Sequence, residues 1–350
     1  GVLGVCVGES ESALVDFINA LAEGRDYYKT NNFYFKKNGE IVRNSLYPLI
    51  QDLDSLPLPD RKIFSYNPQK AMLGLEFLFS RGCPYQCSYC INPYLQELYR
   101  GKGAYVRFRS PESVVKEIET TVALYNYQGS LTFHDDVFTL KKSWLKTFSI
   151  LYKERVGLPY VCNSTADRID EEVAQYLKDS NCEHVAIGLE TGFEELRTGI
   201  LRKKVEDKDI LRSGRILREF GISLLTYNLL GIPGETEDNI KRLIELNILA
   251  GAKIVSVSFL QPYPGTELYK QCEKDNSLNE HLAYTGTEIG ITDLKTPDTV
   301  LYKYFYLFNH YTLKRKYLPF LEFIYKFKFF LWLRRKVKLL PSPVKKIIQN

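Results

Sequence analysis

Apolar and polar positions follow two alternating patterns from residue 75 onward, and these predict strands and helices in turn. Short apolar runs are typical of buried strands, whereas apolar residues three or four positions apart are typical of amphipathic helices. The predicted strands are 75–80, 131–133, 160–163, 184–188, 222–230 and 255–259. Because they alternate with helices, we expect an α/β fold with a parallel sheet curled into a partial (βα)6 TIM-like barrel.

Several predicted helices begin at recognisable signals. Ser110, Pro111 and Glu112 supply an N-cap, a proline at the first helical position and an acidic first turn. Thr236 is a second predicted N-cap. Further helices are predicted from about residue 142, over 170–178 and over 206–220.

The part of the chain before the barrel has a different pattern. Residues 1–7 predict a buried strand, 10–21 an amphipathic helix and 41–49 another strand. The proline-rich stretch 56–60 predicts an extended linker. The predicted domains are 1–70, the end of one domain and a linker; 71–265, the barrel; and 266–350, a helical, basic and aromatic extension.

The charged residues are distributed unevenly, with an excess of Lys and Arg at the C-terminus. The chain of 350 residues has a net charge of +5, but residues 303–350 hold 12 Lys or Arg and one acidic residue, Glu322. Two interpretations stay open: a helix that packs its aromatic side on the core, or a surface that contacts anionic lipid. No nucleic-acid recognition motif accompanies the charge, and no uncharged apolar stretch long enough for a membrane span occurs.

Cysteine usage indicates a reducing, cytoplasmic setting. Of seven cysteines, an odd number, three stand close together and four are scattered, which is unlike a disulfide framework. Cys83, Cys87 and Cys90 form a CxxxCxxC pattern. Three thiolates leave one iron of a ferredoxin-type cluster open to a small molecule. The same thiolates with a histidine, for which His134 is the best candidate, would instead hold zinc.

Polar and glycine residues follow the predicted strands, where the loops of a parallel barrel build an active site. This placement favours an enzyme. The residues are Asp135 and Asp136 after the second strand, Asn163 and Arg168 after the third, Glu190 after the fourth, and Gly231 and Gly234 after the fifth.

With these residues in place, the chain resembles the radical-SAM superfamily over about residues 72–265. The resemblance rests on Cys83, Cys87 and Cys90, with Tyr89 in the aromatic position before the third cysteine. It implies that the thiolates hold a 4Fe-4S cluster whose open iron is chelated by S-adenosylmethionine. It also implies reductive cleavage to a 5′-deoxyadenosyl radical, and it favours iron–sulfur over zinc.

The resemblance implies roles for the residues at the strand ends. Asp135 and Asp136 stand where many members carry Gly-Gly-Glu and would accept hydrogen bonds from the methionyl ammonium; an acidic cap is the structural alternative. Asn163 and Arg168 would bind the ribose hydroxyls and the carboxylate, although Arg168 equally suits an ion pair.

Two further strand ends complete the implied cofactor site. Glu190 would face the cavity, or would pair with a nearby Lys or Arg. Gly231 and Gly234 would let the backbone approach adenine, although a plain strand-to-helix turn also uses glycine.

The stretches Gly8-Glu9-Ser10-Glu11 and 52–61 further resemble the cobalamin-binding-domain branch of this family. That branch has a Rossmann-like cobalamin domain before the barrel and includes methyltransferases and tetrapyrrole cyclases. Ser10 replaces the usual glycine of its GEGE motif. The DxHxxG stretch, which supplies the cobalamin ligand in that branch, would lie before Gly1. Cobalamin is therefore expected in the full-length protein.

The expected function is therefore radical-SAM methyl transfer or carbon-skeleton modification. The alternatives are a methylthiotransferase and a non-catalytic zinc or electron-transfer module. The expected partners are a small-molecule or lipid-like substrate, an electron donor such as flavodoxin or ferredoxin, and peripheral contact of the C-terminal tail with membranes.

Overall fold

The computed structural model describes residues 2–63, 66–279 and 286–313. The strands are β1 Gly4–Cys6, β2 Phe33–Lys37, β3 Glu40–Arg43, β4 Leu75–Phe77, β5 Ser80–Arg81, β6 Arg107–Phe108, β7 Leu131–Phe133, β8 Tyr160–Ser164, β9 Cys182–Glu190, β10 Ser223–Leu230 and β11 Ile254–Phe259. The α-helices are α1 Glu11–Ala22, α2 Ile91–Leu98, α3 Pro111–Tyr125, α4 Lys142–Arg155, α5 Glu171–Asp179, α6 Asp207–Glu219, α7 Glu237–Ala250, α8 Glu267–Lys274 and α9 Asp298–Thr312.

The predicted α/β architecture is confirmed. A parallel six-stranded sheet has the order β11-β10-β9-β8-β7-β4, with a helix between most neighbouring strands, as in a partial barrel. The capping signals act as expected: the Ser110 hydroxyl accepts a hydrogen bond from the Ser113 N–H, and Thr236 forms a capping box with Asn239.

Three predicted strands differ from the structure. The strand predicted at 75–80 divides, because β4 ends at Phe77 and Ser80–Arg81 pairs antiparallel with β6. The strand predicted at 41–49 is only the short β3, which forms a hairpin with β2. The first strand, β1, is not buried, since Val5 is 56% exposed. The apolar residues of this segment predicted a buried strand. Whether a strand is buried depends on which elements pack against it, and the apolar pattern alone does not show that.

The described residues divide into two compact units. Unit 1 contains the residues up to Ser164 together with Glu171–Glu183 and Tyr263–Gln271. Its core includes a cluster of aromatic rings, in which Phe133 stacks on Tyr160 at a centroid distance of 4.6 Å and Trp144 stacks on Phe148 at 5.2 Å. This cluster packs α4 onto β7 and β8.

Unit 2 contains Thr165–Asp170, His184–Pro262 and the described residues from Cys272 onward. Helices α6 and α7 approach closely at Gly214, where a Cβ atom would lie 2.1 Å from the Ala250 carbonyl oxygen. Helix α9 packs on β11 through Phe305, which stacks on Phe259 at 4.7 Å.

The predicted domain boundaries at residues 70 and 265 stay predictions. Most of the basic, aromatic tail, from residue 314 onward, lies outside the described residues. In the part of the chain that the structure describes, no helix combines the length and the apolar character that a bilayer crossing requires.

Candidate functional site

The three clustered cysteines lie in a loop of unit 1 between β5 and α2. The side chains of all three are partly exposed. Cys90 is the N-cap of α2, and its sulfur accepts a hydrogen bond from the Asn92 N–H. The loop begins at Gly82, whose φ is +86° and whose Cβ, if present, would lie 2.5 Å from the Tyr105 carbonyl oxygen. Only glycine fits there without a shift of the neighbouring backbone.

The buried side chain of Asp135 holds the chain that leads into this loop. Its Oδ1 accepts hydrogen bonds from the Phe79 N–H at 3.2 Å, from the Ser80 N–H at 2.6 Å and from the Ser80 hydroxyl. Burial raises the pKa of Asp135 to about 6, although these hydrogen bonds oppose the shift. Asp135 therefore positions the start of the cysteine loop, and its contact with a methionyl ammonium stays a prediction.

Three other predicted residues lie in or near the same loop. An Oδ atom of Asp136 accepts a hydrogen bond from the Asn92 side-chain amide at 3.2 Å, and burial raises the pKa of Asp136. The Asn163 amide donates to the Asp135 carbonyl oxygen at 3.3 Å. Tyr89 is half-buried within the loop itself. The cofactor contacts predicted for these three residues stay predictions.

Glutamates from the N-terminal segment bind the arginine that precedes the cysteines. Arg81 forms ion pairs with Glu9 and Glu11, and Arg107, its register partner on β6, binds Glu9 through both terminal nitrogens. The Arg107 side chain is 5% exposed and that of Glu9 is 18% exposed, so solvent screens this pairing weakly. In the sequence, Glu9 and Glu11 stood out only because their stretch resembles a family motif. The feature that indicated their ion pairs was the position of Arg81 directly before Gly82.

The candidate fourth zinc ligand, His134, contacts a glutamate in this structure. The Nε2 atom of His134 lies 2.7 Å from a carboxylate oxygen of Glu76 and forms an ion pair when the histidine is protonated. Across residues 2–63, 66–279 and 286–313, no three His, Cys, Asp or Glu side chains are arranged to hold a single metal ion. A 4Fe-4S cluster does not require such an arrangement, because each of its cysteines binds a different iron.

In unit 2, Glu190 ends β9 with φ +66° and forms an ion pair with Lys203 at 2.8 Å. Both side chains are at least nine-tenths buried. A Cβ atom at Gly188 would lie 2.0 Å from the Glu190 carboxylate, so glycine there makes room for the pair. This is the ion-pair alternative that the sequence left open, and Lys203 is a partner that sequence reasoning missed.

Arg168 lies in a short 3-10 turn after β8, within unit 2. Its side chain is 45% exposed and lies 3.5 Å from the Asp167 carboxylate. This contact matches the structural alternative, and the predicted role of Arg168 in cofactor binding stays a prediction.

The turn after β10 carries a buried carboxyl group that sequence reasoning did not select. Gly231 and Gly234 have φ values of +81° and +82°, which favour glycine. Glu235 accepts a hydrogen bond from the Gly231 N–H at 2.8 Å, and its other oxygen has no hydrogen-bond partner among the described residues. Burial raises the pKa of Glu235 to about 8, so this group is mostly protonated at neutral pH.

We expect Glu235→Gln to remove a pH dependence from the folding stability. Because a raised pKa means that the folded chain binds this proton more tightly than the unfolded chain, ionisation above the ordinary carboxyl range is destabilising. Relative to the glutamine variant, the wild-type free energy of unfolding should fall by roughly 3 kcal/mol between about pH 5 and about pH 8. Urea denaturation of both proteins at the two pH values measures this difference.

The matched control is Glu245→Gln on an exposed face of α7, where the carboxylate pairs with Arg242. That variant should show the same pH dependence as the wild type. Parallel pH profiles for wild type and Glu235→Gln would contradict the assignment.

A cavity of about 500 Å³ in unit 1 borders the start of the cysteine loop, where Ser80 and Arg81 line it. It is lined by the linker prolines Pro57 and Pro59 and by Arg61 and Arg109, which both bind the buried Glu117. No cysteine lines this cavity, and we assign it no part in cofactor binding.

Comparison with known proteins gives a consistent picture. Residues 77–246 match the model of the radical SAM superfamily. An uncharacterised methyltransferase of Pyrococcus horikoshii is 27% identical over 276 residues, which are 77% of this chain and 58% of that protein. The anaerobic magnesium-protoporphyrin IX monomethyl ester cyclase of Rubrivivax gelatinosus is 23% identical over 75% of this chain and 48% of that protein. The chain thus spans about half the length of these relatives.

A solved structure has the same fold. The radical S-adenosylmethionine methyltransferase TsrM of Kitasatospora setae, with cobalamin and a [4Fe-4S] cluster bound, superposes with a TM-score of 0.63 at 21% identity. The superposition covers 79% of this chain and 54% of that chain. At this identity, the likeness concerns the fold.

Proposed function

Because residues 77–246 form a radical-SAM domain, we propose that this enzyme belongs to the cobalamin-dependent branch of the superfamily and catalyses methyl transfer or a related carbon-skeleton modification. The observation that carries the proposal is the attachment of the N-terminal segment to the start of the cysteine loop. Glu9 and Glu11 bind Arg81, which stands directly before Gly82 and Cys83. If a domain before the barrel binds a methyl-carrying cofactor, that domain must lie close to the cluster. The ion pairs of Glu9 and Glu11 hold the N-terminal segment near the cysteines in this way.

The cysteine loop fits a 4Fe-4S cluster. Its three cysteines are partly exposed, and the Cys90 sulfur accepts an N–H at the N-terminus of α2, where negative charge is favoured. Cys83, Cys87 and Cys90 would hold the cluster, which when bound supplies one electron to S-adenosylmethionine. Asp135 fixes the loop that carries them through its hydrogen bonds to Phe79 and Ser80.

Among residues 2–63, 66–279 and 286–313, we identify no cobalamin ligand. Glu9 and Glu11, in the stretch that resembles GEGE, form ion pairs with Arg107 and Arg81 and therefore hold the N-terminal segment against the loop. Cobalamin binding is proposed for the full-length protein, as are a small-molecule or lipid-like substrate and a flavodoxin or ferredoxin as electron donor. Peripheral membrane contact through the tail belongs to the same proposal.

The full-length protein, reconstituted anaerobically with iron and sulfide and then reduced, should release 5′-deoxyadenosine from S-adenosylmethionine. With reduced cobalamin and S-adenosylmethionine carrying a CD3 methyl group, it should also form CD3-labelled methylcobalamin and S-adenosylhomocysteine. Mass spectrometry measures all three products without knowledge of the substrate.

The products separate the alternatives. Formation of 5′-deoxyadenosine with no CD3-cobalamin would contradict methyl transfer and favour another radical reaction, such as that of a cyclase. Transfer of a methylthio group to an RNA or a protein would favour a methylthiotransferase. Zinc without acid-labile sulfide in the isolated protein would refute the radical mechanism.

A further inference from the structure

The side chain of Asn92 reaches the sulfur of a predicted cluster ligand. Asn92 stands two residues after Cys90, in the first turn of α2. Its backbone nitrogen lies 3.5 Å from the Cys90 sulfur, and its side-chain Nδ2 lies 3.7 Å from the same atom. The backbone contact is an N-cap that any residue except proline provides. The contact of Nδ2 belongs to the asparagine side chain.

Two further hydrogen bonds fix which way this amide points. Its Oδ1 accepts from the Tyr105 hydroxyl at 2.8 Å, and its Nδ2 also donates to Asp136 at 3.2 Å. A tyrosine phenol ordinarily titrates near pH 10, so at neutral pH it carries its proton and donates. A reversed amide would place its oxygen against both the carboxylate and the sulfur. Tyr105 and Asp136 therefore keep an N–H of Asn92 directed at Cys90.

We propose that Asn92 is a positioning residue that raises the reduction potential of the iron–sulfur cluster and that Tyr105 acts through it. Reduction adds negative charge to the cluster and its sulfur ligands, and hydrogen bonds to those sulfurs are among the factors that set the potential. A donor to Cys90 favours the reduced state. Asn92 also places an amide dipole between the thiolate and the Asp136 carboxylate. The inference rests on the cluster and is independent of whether the reaction transfers a methyl group.

The test is a redox titration of the reconstituted protein, followed by electron paramagnetic resonance of the reduced cluster. Asn92→Leu keeps a similar side-chain volume and removes the donor, so it should lower the midpoint potential. We expect a roughly fivefold smaller reduction equilibrium constant, which is about 40 mV for one electron. Tyr105→Phe should shift the potential in the same direction by less, because Asn92 keeps its amide but loses one restraint.

A double-mutant cycle separates positioning from a general disturbance of the loop. If Tyr105 acts through Asn92, adding Tyr105→Phe to Asn92→Leu should cause no further shift. The matched control is Gln175→Leu on α5 of the same unit, whose exposed amide bonds Asp179; it should leave the potential unchanged. Iron and sulfide content, measured for each variant, confirms that the titrated cluster is complete.

A wild-type potential in Asn92→Leu, or additive shifts in the double mutant, would overturn the proposal. If Asn92→Leu does not assemble a cluster, Tyr105→Phe decides: an unchanged potential there contradicts the role of the network. If the wild type itself assembles no cluster, both this inference and the cluster assignment fail. A wild-type cluster that makes no CD3-cobalamin removes only the proposed methyl transfer.

Discussion

Replacing Cys87 by alanine is expected to abolish both the iron–sulfur cluster and the reductive cleavage of S-adenosylmethionine. Each of the three cysteines supplies one thiolate ligand. Because the cubane already lacks a fourth protein ligand, the loss of one more thiolate should prevent it from binding. Cys87 lies inside the loop, where its carbonyl oxygen accepts the Cys90 N–H at 3.2 Å. Alanine preserves that turn and removes only the sulfur. Iron and sulfide content and the yield of 5′-deoxyadenosine measure the effect.

Cys6→Ser is the matched control for the cysteine variant. Cys6 lies on β1 in the same unit and packs beside Phe33 and Phe35, away from the loop. The control should keep its full iron content and its activity. A Cys87→Ala protein with wild-type iron content would refute the ligand assignment.

A large loss of stability is expected from Arg197→Met in unit 2. The Arg197 side chain is completely buried and donates hydrogen bonds to the carbonyl oxygens of Leu189, Thr191 and Val205. It also forms an ion pair with Asp207 at 2.9 Å. Methionine fills similar space but leaves these acceptors unpaired, which should lower the free energy of unfolding by about 3–5 kcal/mol.

Urea denaturation followed by circular dichroism tests this prediction, with Arg215→Met as the control. Arg215 pairs with Glu219 on the exposed surface of α6, where an ion pair contributes less than about 0.5 kcal/mol. The two variants should therefore differ clearly in their urea midpoints. Equal midpoints would show that the hydrogen bonds of Arg197 do not stabilise the fold.

Arg197 also fixes the backbone on both sides of Glu190. Two of its carbonyl partners, Leu189 and Thr191, flank Glu190 and so hold the end of β9 in place. The left-handed backbone of Glu190 is unfavourable for a residue with a side chain, and fixed neighbours maintain it. Arg197 therefore also fixes the backbone that carries the buried Glu190–Lys203 ion pair.

Local sequence determined the features that depend on neighbouring residues. Ser110 and Thr236 cap helices because a side-chain oxygen needs only the N–H three residues ahead. The spacing of Cys83, Cys87 and Cys90 is a property of one loop and was readable without the fold. The alternation of short apolar runs with apolar residues at helical spacing predicted the six-stranded parallel sheet. Each spacing shows which side of a single strand or helix is buried, so it can be recognised without the fold.

Only the tertiary structure decided the roles of the buried polar groups. Asp135 bonds Phe79 and Ser80, and Glu9 bonds Arg107, across separations of 56, 55 and 98 residues. No periodic pattern encodes such partners, because a carboxylate at a strand end looks the same whether it binds a ligand or the backbone. The same reason applies to Asn92, whose amide acquires a direction only when Tyr105 and Asp136 are brought beside it.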